Sequence, residues 1–146
     1  MRPLTITATA RGSGSAAPRV VWRRYARFAQ WPAWSHHFAD VRATRARIAP
    51  GVTGTARIVG PLPVRPVLRL LGGIPARFTV LAVDRRHRRW SWQLGVGPVS
   101  LVLRHTVSTR SDGSGAATTT TVTALAPLVL CYLPVSRAAL RRITRG

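Results

Sequence analysis

The chain has 146 residues, 46% of them hydrophobic, and a formal net charge of +20. All 23 basic residues are arginine, and the acids are only Asp40, Asp84 and Asp112. A core of ordinary size is affordable at this length, five tryptophans exclude a disordered basic tail, and a lone cysteine excludes an internal disulfide.

Thr5, Thr7 and Thr9 alternate with Leu4, Ile6 and Ala8, which predicts a strand that Gly12 to Gly14 break. Pro18 suits the first turn of a helix running to about Ala29, with Val21, Trp22, Tyr25 and Phe28 near helical spacing. Trp31-Pro32 interrupts it, and Pro32 opens a short second helix through His37. Val41 to Ile48 alternates with arginines and predicts the next strand. Pro50-Gly51 turns the chain into a strand over Gly54 to Val59.

Gly60 to Pro75 is too proline-rich for a central strand and too apolar for a plain linker. It predicts an irregular flap, with helical turns over Val67 to Leu71. Four strands follow: Ala76 to Val83, Arg88 to Leu94, Val99 to Thr109 and Ala116 to Ala124. Asp84 to His87 and Asp112 to Gly115 supply hairpin turns. From Leu125 to Ile143 the apolar residues share one side, which predicts a long amphipathic helix interrupted by Pro134. The order is strand, two short helices, about six strands and a long helix: an α+β layer architecture in one domain, residues 1–146.

Val20 to Ala43, VVWRRYARFAQWPAWSHHFADVRA, resembles the opening of the START-like (SRPBCC) proteins of the polyketide cyclase/dehydrase and lipid-transport type. Phe78 to Val122 resembles them too, with a strand ending in Val83-Asp84, the Trp90-x-Trp92 strand, the His105-x-Val107 strand, Asp112-Gly113 and a threonine-rich strand. Ala139 to Ile143, ALRRI, is similar to the end of their last helix. The resemblance implies a helix-grip fold, a curved seven-stranded antiparallel sheet around a long C-terminal helix, with a cavity between them for an apolar molecule.

Strand parity then puts Trp90, Trp92 and Leu94 on the concave face, with Leu101, Leu103, His105, Val107 and Thr109 on the next strand and Thr118, Thr120, Val122 and Ala124 on the last. Tyr132 falls on the helix face that meets them. Trp34, His37, Trp92, His105, Thr120 and Tyr132 are the candidate ligand-binding residues, an apolar lining with a few polar groups. Core packing is the competing role for the tryptophans, and a structural hydrogen bond for His105.

The leading function is the binding of a small hydrophobic ligand, such as a polyketide or lipid, with weak catalysis or none. One alternative is a polyketide cyclase/aromatase acting by shape, with His105 or Tyr132 moving protons. Another is a basic surface protein for anionic membranes or nucleic acid. No cofactor, catalytic set or metal site is expected. The serines include no G-x-S-x-G elbow, the histidines have no zinc spacing, and no phosphate-cradling glycine motif precedes a helix.

The arginines are spread from Arg2 to Arg145, so no specific nucleic-acid partner is expected and anionic-membrane contact is expected to be weak. The opening residues lack the apolar core of roughly 7–15 residues that a secretory signal needs, which makes a cytoplasmic location the default. Cys131, in an apolar run, is expected to be a buried structural thiol.

Overall fold

A computed structural model describes residues 5–35, 38–59 and 72–146, without the side chains of residues 125–133 and 135. The strands are β1 (Thr5–Gly14), β2 (Phe38–Ala43), β3 (Thr53–Ile58), β4 (Ile74–Asp84), β5 (Arg89–Val96), β6 (Val99–Thr109) and β7 (Ala116–Leu125). The described helices are α1 (Pro18–Ala26), α2 (Trp31–Trp34) and α3 (Ala126–Ile143), with a 3-10 turn at Phe28–Gln30 between the first two. The strands form one antiparallel seven-stranded sheet in the order β1-β7-β6-β5-β4-β3-β2. The last helix packs on β1 and β7. This is an α+β helix-grip architecture, as the sequence predicts.

β5, β6 and β7 follow the period-2 pattern. Trp90, Trp92, Leu94, Leu101, Leu103, His105, Val107, Thr118, Thr120, Val122 and Ala124 are all buried, and Thr109 alone of the expected inward set is exposed. Exposed arginines line the opposite face. Hydroxyl pairs tie that outer face together at Thr7–Thr123 (2.9 Å), Thr9–Thr121 (3.3 Å) and Thr106–Thr119. Cross-strand threonine pairs of this kind suit the β-branched side chain and add modest stability.

Two expected boundaries are corrected. The first strand runs unbroken through Gly12 to Gly14, paired with β7 as far as Gly14↔Ala116. These glycines are there for close approach, because a Cβ on Gly12 would stand 2.7 Å from that of Leu140, and one on Gly14 would overlap the carbonyl oxygen of Thr144. The strand expected over Val41 to Ile48 is instead β2, Phe38–Ala43. Its register shifts between Ala39 and Arg42, and Asp40 there has a φ of 51°. Such a bulge inserts an extra residue and breaks the alternation on which the sequence assignment relied. Beyond Ala43 the chain bends, with a single bridge between Arg47 and Arg27, and turns Ile48 into the core.

The expected flap between Gly60 and Pro75 falls mostly outside the described residues, and its last two residues, Ile74 and Pro75, already belong to β4. Pro134 is within α3 and exposed. The side chain of Cys131 is outside the described set.

The β1–α3 seam yields an expected result. In Gly14→Ala the new methyl meets backbone, which cannot rotate aside, so α3 must shift. The variant should lose at least about 2 kcal/mol in chemical denaturation. Ser13→Ala, next to it but exposed, should stay within about 0.5 kcal/mol of the parent. Equal midpoints for the two variants would show that the seam has slack.

Candidate functional site

The site is assembled from the inner faces of β5, β6 and β7, from α1 and α2, and from the second half of α3. Pro18 opens α1 at a position where the missing N–H costs nothing, and Val21 and Tyr25 point to the sheet. Pro32 does the same for α2, whose two tryptophans are both buried. Trp31 Nε1 donates to the Tyr25 carbonyl (2.9 Å) and Trp34 Nε1 to the Arg24 carbonyl (3.1 Å). The indoles thus satisfy carbonyls at the end of α1 that the helix leaves without partners.

Trp31 is the centre of an aromatic cluster. Its ring lies 4.9 Å from Phe28, 5.1 Å from Trp92, 5.3 Å from Phe78 and 5.7 Å from Trp90. On the other side of the cluster Trp90 stacks on His105 at 4.7 Å.

His105 is buried and accepts at Nε2 from Trp92 Nε1–H (2.8 Å), while its Nδ1 is 2.9 Å from Thr120 Oγ1. An indole N–H can only donate, so the imidazole proton is on Nδ1 and is given to Thr120. Thr118 donates to the Thr106 carbonyl (2.8 Å), which makes Tyr25 O–H the donor in its 2.8 Å bond to Thr118. The result is one directional chain, Trp92 to His105 to Thr120, with a second beside it, Tyr25 to Thr118 to the Thr106 carbonyl. Register makes it possible, since Trp90↔His105↔Thr120 and Trp92↔Leu103 are direct cross-strand partners.

Burial pushes the His105 pKa down to about 3 and raises that of Tyr25 above its ordinary value. A proton added at Nε2 would also point at the Trp92 N–H. His105 is therefore a neutral imidazole with both nitrogens engaged.

Trp34, Trp92, His105 and Thr120 come together, as the sequence predicts, around an enclosed space of about 10 Å³. Phe38, Ser136, Ala139 and Leu140 help to close it. That volume holds about one water. His37 lies outside the described residues, and so does the side chain of Tyr132. Sequence reasoning passed over several members of this site, among them Tyr25 and Ser136. Tyr25 could have been picked out by its place on the buried stripe of α1, and Ser136 by its being a hydroxyl on the apolar side of α3. Among the described residues, two buried side-chain polar atoms have no hydrogen-bond partner, Trp90 Nε1 and Ser136 Oγ, and Ser136 lines the enclosed space.

A closed aromatic interior gripped between a curved sheet and a terminal helix defines the class of protein, a helix-grip domain. The chain belongs to the polyketide cyclase/dehydrase and lipid-transport family, whose model matches residues 5–145. In three dimensions it is similar to a crystal structure of a Chromobacterium violaceum protein, with 15% identity, 94% of each chain covered and a TM-score of 0.67. At that identity the likeness concerns the fold. No curated protein matches. Among the described residues, no helix is long and apolar enough to cross a membrane.

Proposed function

We propose that the protein binds a small hydrophobic ligand, a polyketide, lipid or molecule of similar character, between the sheet and α3. The observation that supports this most directly is the lining of the interior. Trp34, Phe38, Trp92, Ala139 and Leu140 are apolar, and Ser136 offers one buried hydroxyl with no partner. An apolar wall with few polar groups is the composition of a small-molecule site. The described walls close on about 10 Å³, so a ligand is taken up by separating Trp34 and α3 from the sheet. Ser136 Oγ then supplies a hydrogen bond to the ligand. Trp34, His37, Trp92, Thr120 and Tyr132 remain proposed ligand contacts.

His105 fits a structural role better than a catalytic one. A general base needs a free lone pair within reach of substrate and a pKa near the working pH, and the Nε2 lone pair of His105 is held by Trp92. The cyclase alternative thus loses its histidine.

Native mass spectrometry of the purified protein, with organic extraction and a broad library of apolar molecules, tests the reading. An extractable or added apolar molecule should bind stoichiometrically and lose affinity when Ser136 is replaced by a bulky residue, as in Ser136→Leu. A protein that neither carries nor accepts any of them would sink the proposal.

A further inference from the structure

A groove of about 370 Å³ opens where α1, α2 and α3 meet, and it shares Trp34 with the enclosed interior. Arg24, Gln30, Ala33, Trp34, Arg142 and Arg145 line it, completed by Gly146. Arg24 is anchored, since its Nη1 donates to the carbonyls of Ile143 and Arg145, each at 2.7 Å. The Ile143 carbonyl belongs to the negative end of α3, and Arg24 offsets it. Arg142 and Gln30 are half-buried, yet neither side chain, nor that of Arg145, makes a hydrogen bond to a described residue.

No aspartate side chain reaches these guanidiniums. Asp40 is paired with Arg42, Asp84 with His87 and Arg89, and Asp112 with Arg110. Three arginines therefore line one concave surface with no aspartate paired to any of them. The arginines of the outer sheet face stand exposed, as Arg145 does, whereas Arg24 and Arg142 are half-buried and less screened by water and salt.

We propose that this groove binds an oxyanion, carboxylate or phosphate, at the head of an otherwise apolar molecule. Arg142 and Arg145 supply forked donors to the oxyanion, a geometry for which guanidinium is suited. Gln30 adds an amide donor. Ala33 and the Trp34 indole form the apolar floor. Because Trp34 also walls the interior, an apolar tail extending from the head would pass beside it. That extension rests on the reading proposed above, whereas the oxyanion site does not.

Titration calorimetry with decanoate, decyl phosphate, decanol and inorganic phosphate tests the site. The proteins are the parent, the double variant Arg142→Gln/Arg145→Gln, and a control of equal charge from the outer sheet face, Arg77→Gln/Arg104→Gln. The parent should bind decanoate and decyl phosphate at least tenfold more tightly than decanol. The double variant should lose that advantage and the control should keep it. Arg145→Glu, a change at an exposed side chain, should abolish the advantage by itself and serves if the double variant does not fold.

Inorganic phosphate that binds as tightly as decyl phosphate would support the site with a free oxyanion as its ligand. Weaker phosphate would support an amphiphile. Equal affinity for decanoate and decanol, an equal loss in the control, or no binding of any oxyanion would overturn the proposal. Decanol binding alone would remove the oxyanion site and leave the apolar-ligand reading standing, and oxyanion binding with no neutral ligand would do the reverse.

Discussion

Trp31→Ala should be the most damaging single substitution among the aromatic residues, costing about 3–5 kcal/mol or more. Its indole is 1% exposed and touches rings from the 3-10 turn, from β4 and from β5. Truncation leaves a cavity at the centre of that cluster and takes away the donor to the Tyr25 carbonyl. Against a total stability of about 5–15 kcal/mol for an ordinary domain, the loss could leave little folded protein at room temperature. Trp31→Phe keeps most of the packing and should cost less than half as much. Chemical denaturation of the two variants checks this. A loss below about 1.5 kcal/mol for Trp31→Ala would mean that the neighbouring rings collapse into the space.

Acid should destabilise the protein well before its carboxylates titrate. Burial lowers the folded pKa of His105 from its ordinary 6.5 to about 3. Above pH 6.5 neither the folded nor the unfolded state carries the proton, and the neutral imidazole has its full effect. As pH falls below 6.5 the unfolded chain takes up a proton that the folded chain refuses, so stability declines down to the folded pKa. The slope approaches about 1.4 kcal/mol per pH unit, or about 3 kcal/mol by pH 4.

Asp84 and Asp112 also have lowered pKa values, Asp84 chiefly through its hydrogen bonds from His87 and Asp112 through those from Ser114. Their contribution is present above the ordinary carboxylate value of 3.8 and is lost as pH falls through their lowered values. The interval between pH 6.5 and about 4 therefore separates His105 from these two carboxylates. His105→Gln should be less stable than the parent at pH 7 and flatter across that interval. An unchanged slope would show that another group carries the acid sensitivity.

The inner faces of β5, β6 and β7 were legible because strict alternation is a local signal, and Trp90, Trp92, His105 and Thr120 all fall where parity puts them. β2 was not, because a bulge at Asp40 shifts every side chain after it and no residue type announces one. Gly12 and Gly14 misled for a related reason. Glycine marks both a turn and a close approach of backbone, and only the position of α3 decides between them. The surroundings of His105 depend on which residues three strands bring opposite one another, and on Tyr25 from a helix far away in the chain. Parity alone indicated an inward histidine, without the partners that keep it neutral. The groove at Arg24, Arg142 and Arg145 joins residues from opposite ends of the sequence, and scattered arginines gave no hint of it.

The pairing of β1 has a consequence for how the molecule is made. Its ladder partner in the sheet is β7, at a sequence separation of 116 between Thr7 and Thr123, and the helix that its glycines admit comes later still. Emerging from the ribosome before the other strands, β1 thus stays unmatched until β7 has been synthesised. Closing so long a loop is slow, and unpaired strand edges are prone to associate with other chains. The threonines of the segment TITATA work against this during the wait, since they keep every second side chain polar and leave a newly made β1 poorly suited to aggregation.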